Sequence, residues 1–451
     1  VLPDAGHDTS HPQPSHEASV DAGVDASDNG AVSTTYPAFT IDAPHIVNNG
    51  GSVLTAPVVV TITWPASDTN VATWEAMGDG MGASAYWKAT TGEYGVGAAI
   101  SGEANHVHMT EPLPATLSYT DLSNYVIAAV TAAEADAGVA GGSADGGTDA
   151  GPNPRWPLPT MSGGTSQTIY SLLIPQSVTV TDPGSGLSFC TEGGLGYHDT
   201  VTVGSTAVAY SVSLECAGQS VPDVEETVAH EYVEAATDPF PNSTNIGYVG
   251  FDPNHLAWDI YTGFNDELAD ACQNWADSYY QESAPFSYWV QRSWSNASAS
   301  AGHDPCVPLP SGPYAGLTLF PAQEQMASIN LSLIGLAKET TRAFTAKVGQ
   351  TVTFQVGFYS DAKTSAPLTI GFDFPAEMQL VDESGNPLDN GTATVTIDKM
   401  SGENGEKANV SVTPTKAGPL GFQIMALTWD GPTGLDSMYL PHYLPLLISN
   451  Q

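Results

Sequence analysis

Val224-Glu225-Glu226-Thr227-Val228-Ala229-His230-Glu231-Tyr232-Val233-Glu234-Ala235-Ala236-Thr237-Asp238-Pro239 reads as one helix carrying a ligand set. Residues four apart share a helix face, so His230 and Glu234 project side by side and Glu231 sits one step round. Val224, Val228 and Ala235 give the stripe that such a helix buries. Ser220 is placed to cap its start, Pro222 suits the first turn, and Asp223, Glu225 and Glu226 complement the positive helix end. Pro239 stops it. The pattern follows the His-Glu-x-x-His zinc helix, whose Glu is the general base toward a metal-activated water. Glu234 stands where the second His is expected, and an imidazole with carboxylate oxygens remains an acceptable Zn²⁺ set. The alternative is a solvent-facing His–Glu pair with no ion.

A third ligand has to come from elsewhere. Downstream, Glu267-x-x-Asp270 precedes Cys272, and in a helical segment both acids would face the same way. By analogy with zinc peptidases that take a downstream Glu as ligand, Glu267 is the preferred third ligand. Asp270 would then orient His230 from outside the ligand set, and the reverse assignment stays open. His230, Glu234 and Glu267 would neutralise no more than the ion's two charges and leave a position for water. Ca²⁺ suits carboxylates, but the imidazole favours zinc. His198, in Gly196-Tyr197-His198-Asp199, reads as a metal contact, an oxyanion stabiliser, or a hydrogen-bonded loop histidine. His106-Val107-His108 puts two imidazoles on one strand face, with Glu103 and Glu111 the nearest acids in sequence. No Gly-x-Ser-x-Gly elbow and no phosphate-cradling loop is present.

The 451 residues hold 49 acidic against 10 basic side chains, a net charge of −39. That field argues against nucleic acid and anionic membranes as partners and favours divalent cations. No apolar run is long enough for membrane insertion. Cys190, Cys216, Cys272 and Cys306 are well separated and even in number, which reads as two disulfides in an exported protein. Pairing of neighbours, Cys190–Cys216 and Cys272–Cys306, is one of three connectivities and the one expected here. The chain begins at Val1, which fits a secreted or cell-surface protein whose export signal has been removed.

The expected organisation has three parts. Residues 1–33, poor in large apolar side chains, read as a disordered acidic tether containing His7, His11 and His16. Residues 34–312 read as an α+β (or α/β) metal-binding domain, with 132–151 as a flexible insertion of similar composition. Within it, Pro57–Trp64 is a central buried strand, 69–89 and 119–133 are helices, 168–175 and 207–212 are strands, and 240–266 is loop. Residues 313–451 alternate in short strands such as Thr351–Tyr359 and read as an immunoglobulin-like β-sandwich without catalytic signal.

Several pieces also occur in a particular order. Phe189-Cys190, Gly196-Tyr197-His198, Tyr210 and Cys216 precede His230-Glu231-x-x-Glu234-Ala235-x-Thr237-Asp238-Pro239, which is followed by Glu267-x-x-Asp270-x-Cys272 and Trp294-Ser295-Asn296. Over roughly residues 40–310 this resembles the phosphate-induced, Exordium-like proteins of plants and their secreted bacterial relatives. The stretch 240–266 and the spacing of Cys190 from Tyr197 are longer than that pattern. The resemblance implies an extracellular protein with a peptidase-like metal helix. Two functions are therefore expected. One is a secreted zinc metallopeptidase-like hydrolase acting on a peptide or protein substrate, with Glu231 as base. The other is a non-catalytic binder of a cell-wall polymer with a structural metal.

Overall fold

Val58–Thr63 forms β1, and its unbroken apolar and β-branched run is buried along its whole length. The computed structural model describes residues 29–449 except 66–69, 140–153, 183–185, 193, 263–266, 274, 276, 310–311, 321–322, 331–337, 374–392, 416–421 and 431–441. β2 (His106–His108) and β3 (Thr168–Ile174) flank β1 in parallel, and β5 (Thr206–Leu214) extends the sheet parallel to β3. β4 (Gly196–Val203) closes the edge antiparallel to β5, giving the order β2-β1-β3-β5-β4.

Because side chains alternate along a strand, this sheet needs cover on both faces. Val59, Ile169 and Leu173 pack against α1 (Val71–Met81), α2 (Ala85–Thr91) and α4 (Val221–Thr237). Val60, Ile62, Tyr170, Leu172 and Val212 pack against Leu122, Val126 and Val130 of α3 (Tyr119–Val139). This half is therefore a three-layer mixed-sheet unit, the α/β form of the expected class.

Three expectations need correction. The helix expected over 69–89 breaks in two after Met81, at Gly82, whose backbone lies so close to Ala99 that a Cβ would stand 1.8 Å from its carbonyl oxygen. Ser84 then caps α2, its hydroxyl accepting from Trp87 N–H at 2.9 Å. α3 continues to Val139, so the first residues of the expected 132–151 insertion are helical, and 140–151 lie outside the described residues. Residues 240–266 are not all loop. Tyr248–Phe251 pairs with Ile46–Asn48, and α5 (Leu256–Thr262) follows.

Both disulfides join sequence neighbours, Cys190–Cys216 and Cys272–Cys306. The first ties the entry to β4 to the segment leading into α4. The second ties α6 (Asp270–Gln273) to Cys306–Val307, which pairs with Ser293–Trp294 just after β6 (Trp289–Gln291), the strand that packs along α4.

Beyond Tyr314 the chain is β-rich, as its alternation predicts. One sheet runs β7 (Ala315–Leu319), β10 (Val352–Ser360), β14 (Lys407–Pro414) and β12 (Ala393–Ile397) in that order. The other contains β8 (Gln325–Asn330), β9 (Lys338–Thr345), β16 (His442–Ser449), β15 (Phe422–Asp430), β11 (Leu368–Asp373) and β13 (Ser401–Gly402). Leu317, Phe354, Phe358 and Val410 of the first sheet share one core with Phe344, Leu368 and Ile370 of the second.

Residues 29–33, the end of the expected tether, are fastened to this part. Lys407 N–H donates to Asn29 O (2.9 Å) and Ser33 N–H to Asn404 O (2.7 Å). The Asn404 side chain donates to Ser33 O and Thr35 O and accepts from Ala38 N–H. Residues 1–28, with His7, His11 and His16, lie outside the described residues. A second tie is ionic: Arg342 of β9 meets Asp42 at 2.8 Å, and His255 lies 3.5 Å from Asp42 and 2.7 Å from Asp252.

Candidate metal centre

Three elements converge on the middle of α4. The helix forms as its sequence dictates: Ser220 N–H donates to the Asp223 carboxylate (2.7 Å), and Val224, Val228, Tyr232, Val233 and Ala236 are buried against the sheet. This leaves His230, Glu231 and Glu234 on the side facing β4 and the turn before α6. The register of β4 sets His198 opposite Ser211 and Gly196 opposite Ser213. Gly196 has no room for a side chain without displacing its neighbours. A Cβ there would lie 2.7 Å from Glu231 Oε1, 2.7 Å from Thr227 Cγ2 and 2.8 Å from Val212 O.

His230 Nε2 lies 3.0 Å from Glu234 Oε2 and 3.4 Å from Asp270 Oδ1. Its Nδ1–H donates to Gln291 Oε1 at 2.9 Å, and Gln291 Nε2 donates to Ala269 O at 2.6 Å. Glu234 Oε1 accepts from the backbone N–H groups of Ala269 (3.2 Å) and Asp270 (3.0 Å). Helix and turn are thus clasped from both sides. His198 stands across from them. Its Nδ1 is 3.8 Å from Glu231 Oε2 and 3.7 Å from Glu234 Oε2; its Nε2 is 3.4 Å from Glu267 Oε1 and donates toward Asp238 O at 3.0 Å. Ligand atoms approach within 4.8 Å of one another in three sets: His230–Glu234–Asp270, His198–Glu231–Glu234 and His198–Asp238–Glu267.

His198, His230, Glu231, Glu234, Glu267 and Asp270 come together, in a different partition from the one preferred. Asp270, not Glu267, completes the group around His230. α6 begins only at Asp270, so Glu267 lies before the helix and does not share its face. The two backbone bonds to Glu234 turn Asp270 toward His230, and Glu267 falls beside His198 and Asp238. His198 is buried on a strand rather than in a loop, with acids at both ring edges. His106 and His108 take their acids from α1, not from Glu103 or Glu111. His106 meets Asp79 at 3.0 Å and Glu75 at 3.6 Å, and His108 bonds Glu75. Gln291 and Asp238 are the site residues the sequence did not mark. An uncharged amide carries no ligand signal, and Asp238 reads as part of the helix stop.

The electrostatics call for positive charge. Glu231, Glu234, Asp238, Glu267 and Asp270 share this space with two imidazoles, and no lysine or arginine lines its cavities among the described residues. Burial would pull His198 toward neutrality, but Glu267, then Glu231 and Glu234, hold it up at about 10. Burial is likewise outweighed at His230, which Glu234 and Asp270 keep well above its usual value. Burial raises Glu231 against the pull of His198 and His230, and raises Glu267 strongly, with Glu234, Asp238 and Asp270 adding to it. Glu234 goes the other way, because His230 overcomes its burial. Two oxygens, Glu231 Oε2 and Asp238 Oδ2, are buried with no hydrogen-bond partner. Such orphans cost about 1–3 kcal/mol each, more when charged. A divalent cation fits this donor set: one imidazole nitrogen and two carboxylate oxygens in the His230 group match zinc chemistry.

Two cavities open onto the cluster and share Gly196, His230, Glu231 and Asp270 as lining. One, of about 370 Å³, reaches past His198 to Asp238, Asn242 and Glu267. The other, of about 510 Å³, runs along Gly194–Gly196 to Glu226, Tyr279 and Gln291. No helix among the described residues is long and apolar enough to cross a membrane.

No protein-family model matches the chain, and no curated protein matches it. Among solved structures, it is similar to a PapD-like domain of human CEP192 at 18% identity, covering 23% of this chain and 73% of that one, with a TM-score of 0.16. It is also similar to domains 4 and 5 of the S-layer protein SbsC, at 12% identity over 41% of this chain and 95% of that one, with a TM-score of 0.14. At these scores neither likeness bears on the activity, and the site must be read from its own chemistry.

Proposed function

We propose that the chain is an exported zinc-dependent hydrolase of peptide bonds. The observation that carries this reading is the His230–Glu234–Asp270 group with the buried Glu231 carboxylate beside it, open to cavities on both sides. A zinc ion held there would supply Lewis acidity, polarising a carbonyl and lowering the pKa of water. The chain's own residues do the rest. Glu231, raised by burial, is the proton acceptor and returns the proton to the leaving amine. Gln291 fixes the His230 tautomer by taking its Nδ1–H, so Nε2 is the free nitrogen. β4 is an edge strand with no partner on its outer side among the described residues, and its start lines the larger cavity. An extended peptide would add to that edge through main-chain hydrogen bonds. Export accords with the two disulfides.

The test is Glu231→Gln, assayed against a broad peptide library with metal analysis alongside. Cleavage should vanish while bound zinc stays near one equivalent at the His230 group. Undiminished cleavage by the variant would remove Glu231 as base. Wild-type protein that holds zinc and cleaves nothing at any pH would overturn the hydrolase reading and favour the other function, a binding protein with a structural metal.

A further inference from the structure

His198 divides the acidic cluster into two compartments. On its Nδ1 side stand Glu231 and Glu234, next to the His230 group. On its Nε2 side stand Glu267 and Asp238, and ligand atoms of these three residues lie within 4.8 Å of one another. We propose that the Nε2 side is a second divalent-cation site, held by His198, Asp238 and Glu267 and distinct from the ion on His230, Glu234 and Asp270.

Asp238 supplies an observation independent of the clustering. Its Oδ1 accepts from Gly247 N–H at 2.6 Å, but Oδ2 has no hydrogen-bond partner. The residue is 1% exposed, and Oδ2 itself is buried where the residue borders the 370 Å³ cavity. The Glu267 carboxyl beside it can donate only while protonated, and an ion between the two acids would satisfy both in their charged forms. The spacing agrees. Two ligands held about 2.1 Å from a zinc-sized ion, at angles near 90–110°, stand about 3.0–3.4 Å apart. His198 Nε2 is 3.4 Å from Glu267 Oε1, the spacing between His230 Nε2 and Asp270 Oδ1, and an ion there would replace the proton that Nε2 now donates to Asp238 O.

Charge makes the same division. A dication on His230, Glu234 and Asp270 is already neutralised by two carboxylates. Glu231, Asp238 and Glu267 then remain, with no lysine or arginine among the residues lining the cavity. A second dication on Asp238 and Glu267 leaves Glu231 as the one carboxylate free to take a proton. With Nε2 on an ion, His198 carries its proton on Nδ1, facing Glu231 and Glu234. The second ion would thereby position the base from behind. The imidazole selects a borderline ion such as Zn²⁺ over Ca²⁺.

This proposal extends the reading of the cavity as a metal centre, and ion counting separates the two. Untagged protein is stripped with chelator, titrated with Zn²⁺ and weighed by native mass spectrometry, with Asp238→Asn, Glu267→Gln and His230→Gln in parallel. Two tightly held ions are expected in the wild type. Asp238→Asn and Glu267→Gln should each lose one and keep the other, and His230→Gln should lose the complementary one. Imidazoles at His7, His11, His16 and the His106–His108 pair could bind further ions, so the second ion is assigned by its loss in Asp238→Asn. Saturation of the wild type at one ion, removed by His230→Gln, overturns the second site and leaves the first, with no reliance on variant folding. Two ions that survive both Asp238→Asn and Glu267→Gln also overturn it. One ion removed by Asp238→Asn and kept by His230→Gln upholds this site and defeats the catalytic reading.

Discussion

Gln291→Leu isolates the clasp behind the metal helix. Gln291 is 2% exposed and of similar size to leucine, so the substitution leaves little void. It strips the partner from two buried groups, the His230 Nδ1–H at 2.9 Å and the Ala269 carbonyl at 2.6 Å. Each unsatisfied group costs about 1–3 kcal/mol, partly offset by the apolar side chain that replaces the amide. The cost to the ion is separable. Loss of the partner that orients a ligating histidine weakens metal binding about 10–100-fold, or about 1.4–2.7 kcal/mol. Ala269 also sits next to the backbone amides that hold Glu234, so the loss should fall at the upper end of that range. Zinc affinity measured by competition with a chromophoric chelator, with a thermal melt on the same sample, reads both effects. Gln291→Glu is the informative companion, because it can still accept from His230 but cannot donate to Ala269 O. Retained affinity in the Glu variant assigns the effect to the histidine, and equal loss in both assigns it to the clasp. A Leu variant that binds zinc as tightly as the wild type refutes the role given to Gln291.

Three other outcomes follow from the geometry. Gly196→Ala should cut turnover about 100-fold with little change in zinc content, since the new methyl displaces Glu231 and misplacement of about 1 Å has that effect on rate; unchanged kcat against a cleaved peptide would contradict the contact. Removing the Cys272–Cys306 crosslink as a Cys272→Ala, Cys306→Ala pair should cost about 4 kcal/mol in chemical denaturation, from the 34-residue separation it closes, and should weaken zinc binding because α6 carries Asp270. His255 should make the tie between the two halves pH-dependent. Burial depresses it, but Asp252 and Asp42 outweigh that and raise it from 6.5 to about 9. A raised imidazole stabilises fully below pH 6.5, and that contribution, of order 3 kcal/mol, is lost as pH climbs through about 9. His255→Asn should flatten the stability profile across that window in a pH series of urea melts; an unchanged slope would assign the titration elsewhere.

What was legible in the sequence is what short-range chemistry determines. The 224–239 helix announces its period, its cap and its proline stop, and it folds as Val221–Thr237. The pairing of cysteines was likewise a matter of neighbours. The choice between Glu267 and Asp270 was not legible, because it depends on whether α6 starts before or after residue 267. That start is fixed by backbone bonds to Glu234, a contact 36 residues away in the chain. Gln291 was invisible for a related reason: its task comes from two tertiary partners, His230 and Ala269. The end of the acidic N-terminal stretch was misjudged because composition describes what a segment cannot bury by itself. It is silent on what an asparagine elsewhere can hold.

That asparagine has a mechanical consequence. Asn404 grips Ser33, Thr35 and Ala38, while Lys407 grips Asn29. Tension entering from the acidic leader therefore meets this clasp on the β-rich half before it reaches Ile46 or β1. Load from that side would pass into the β-rich half through Asn404 and Lys407 before it reaches the helix that carries His230.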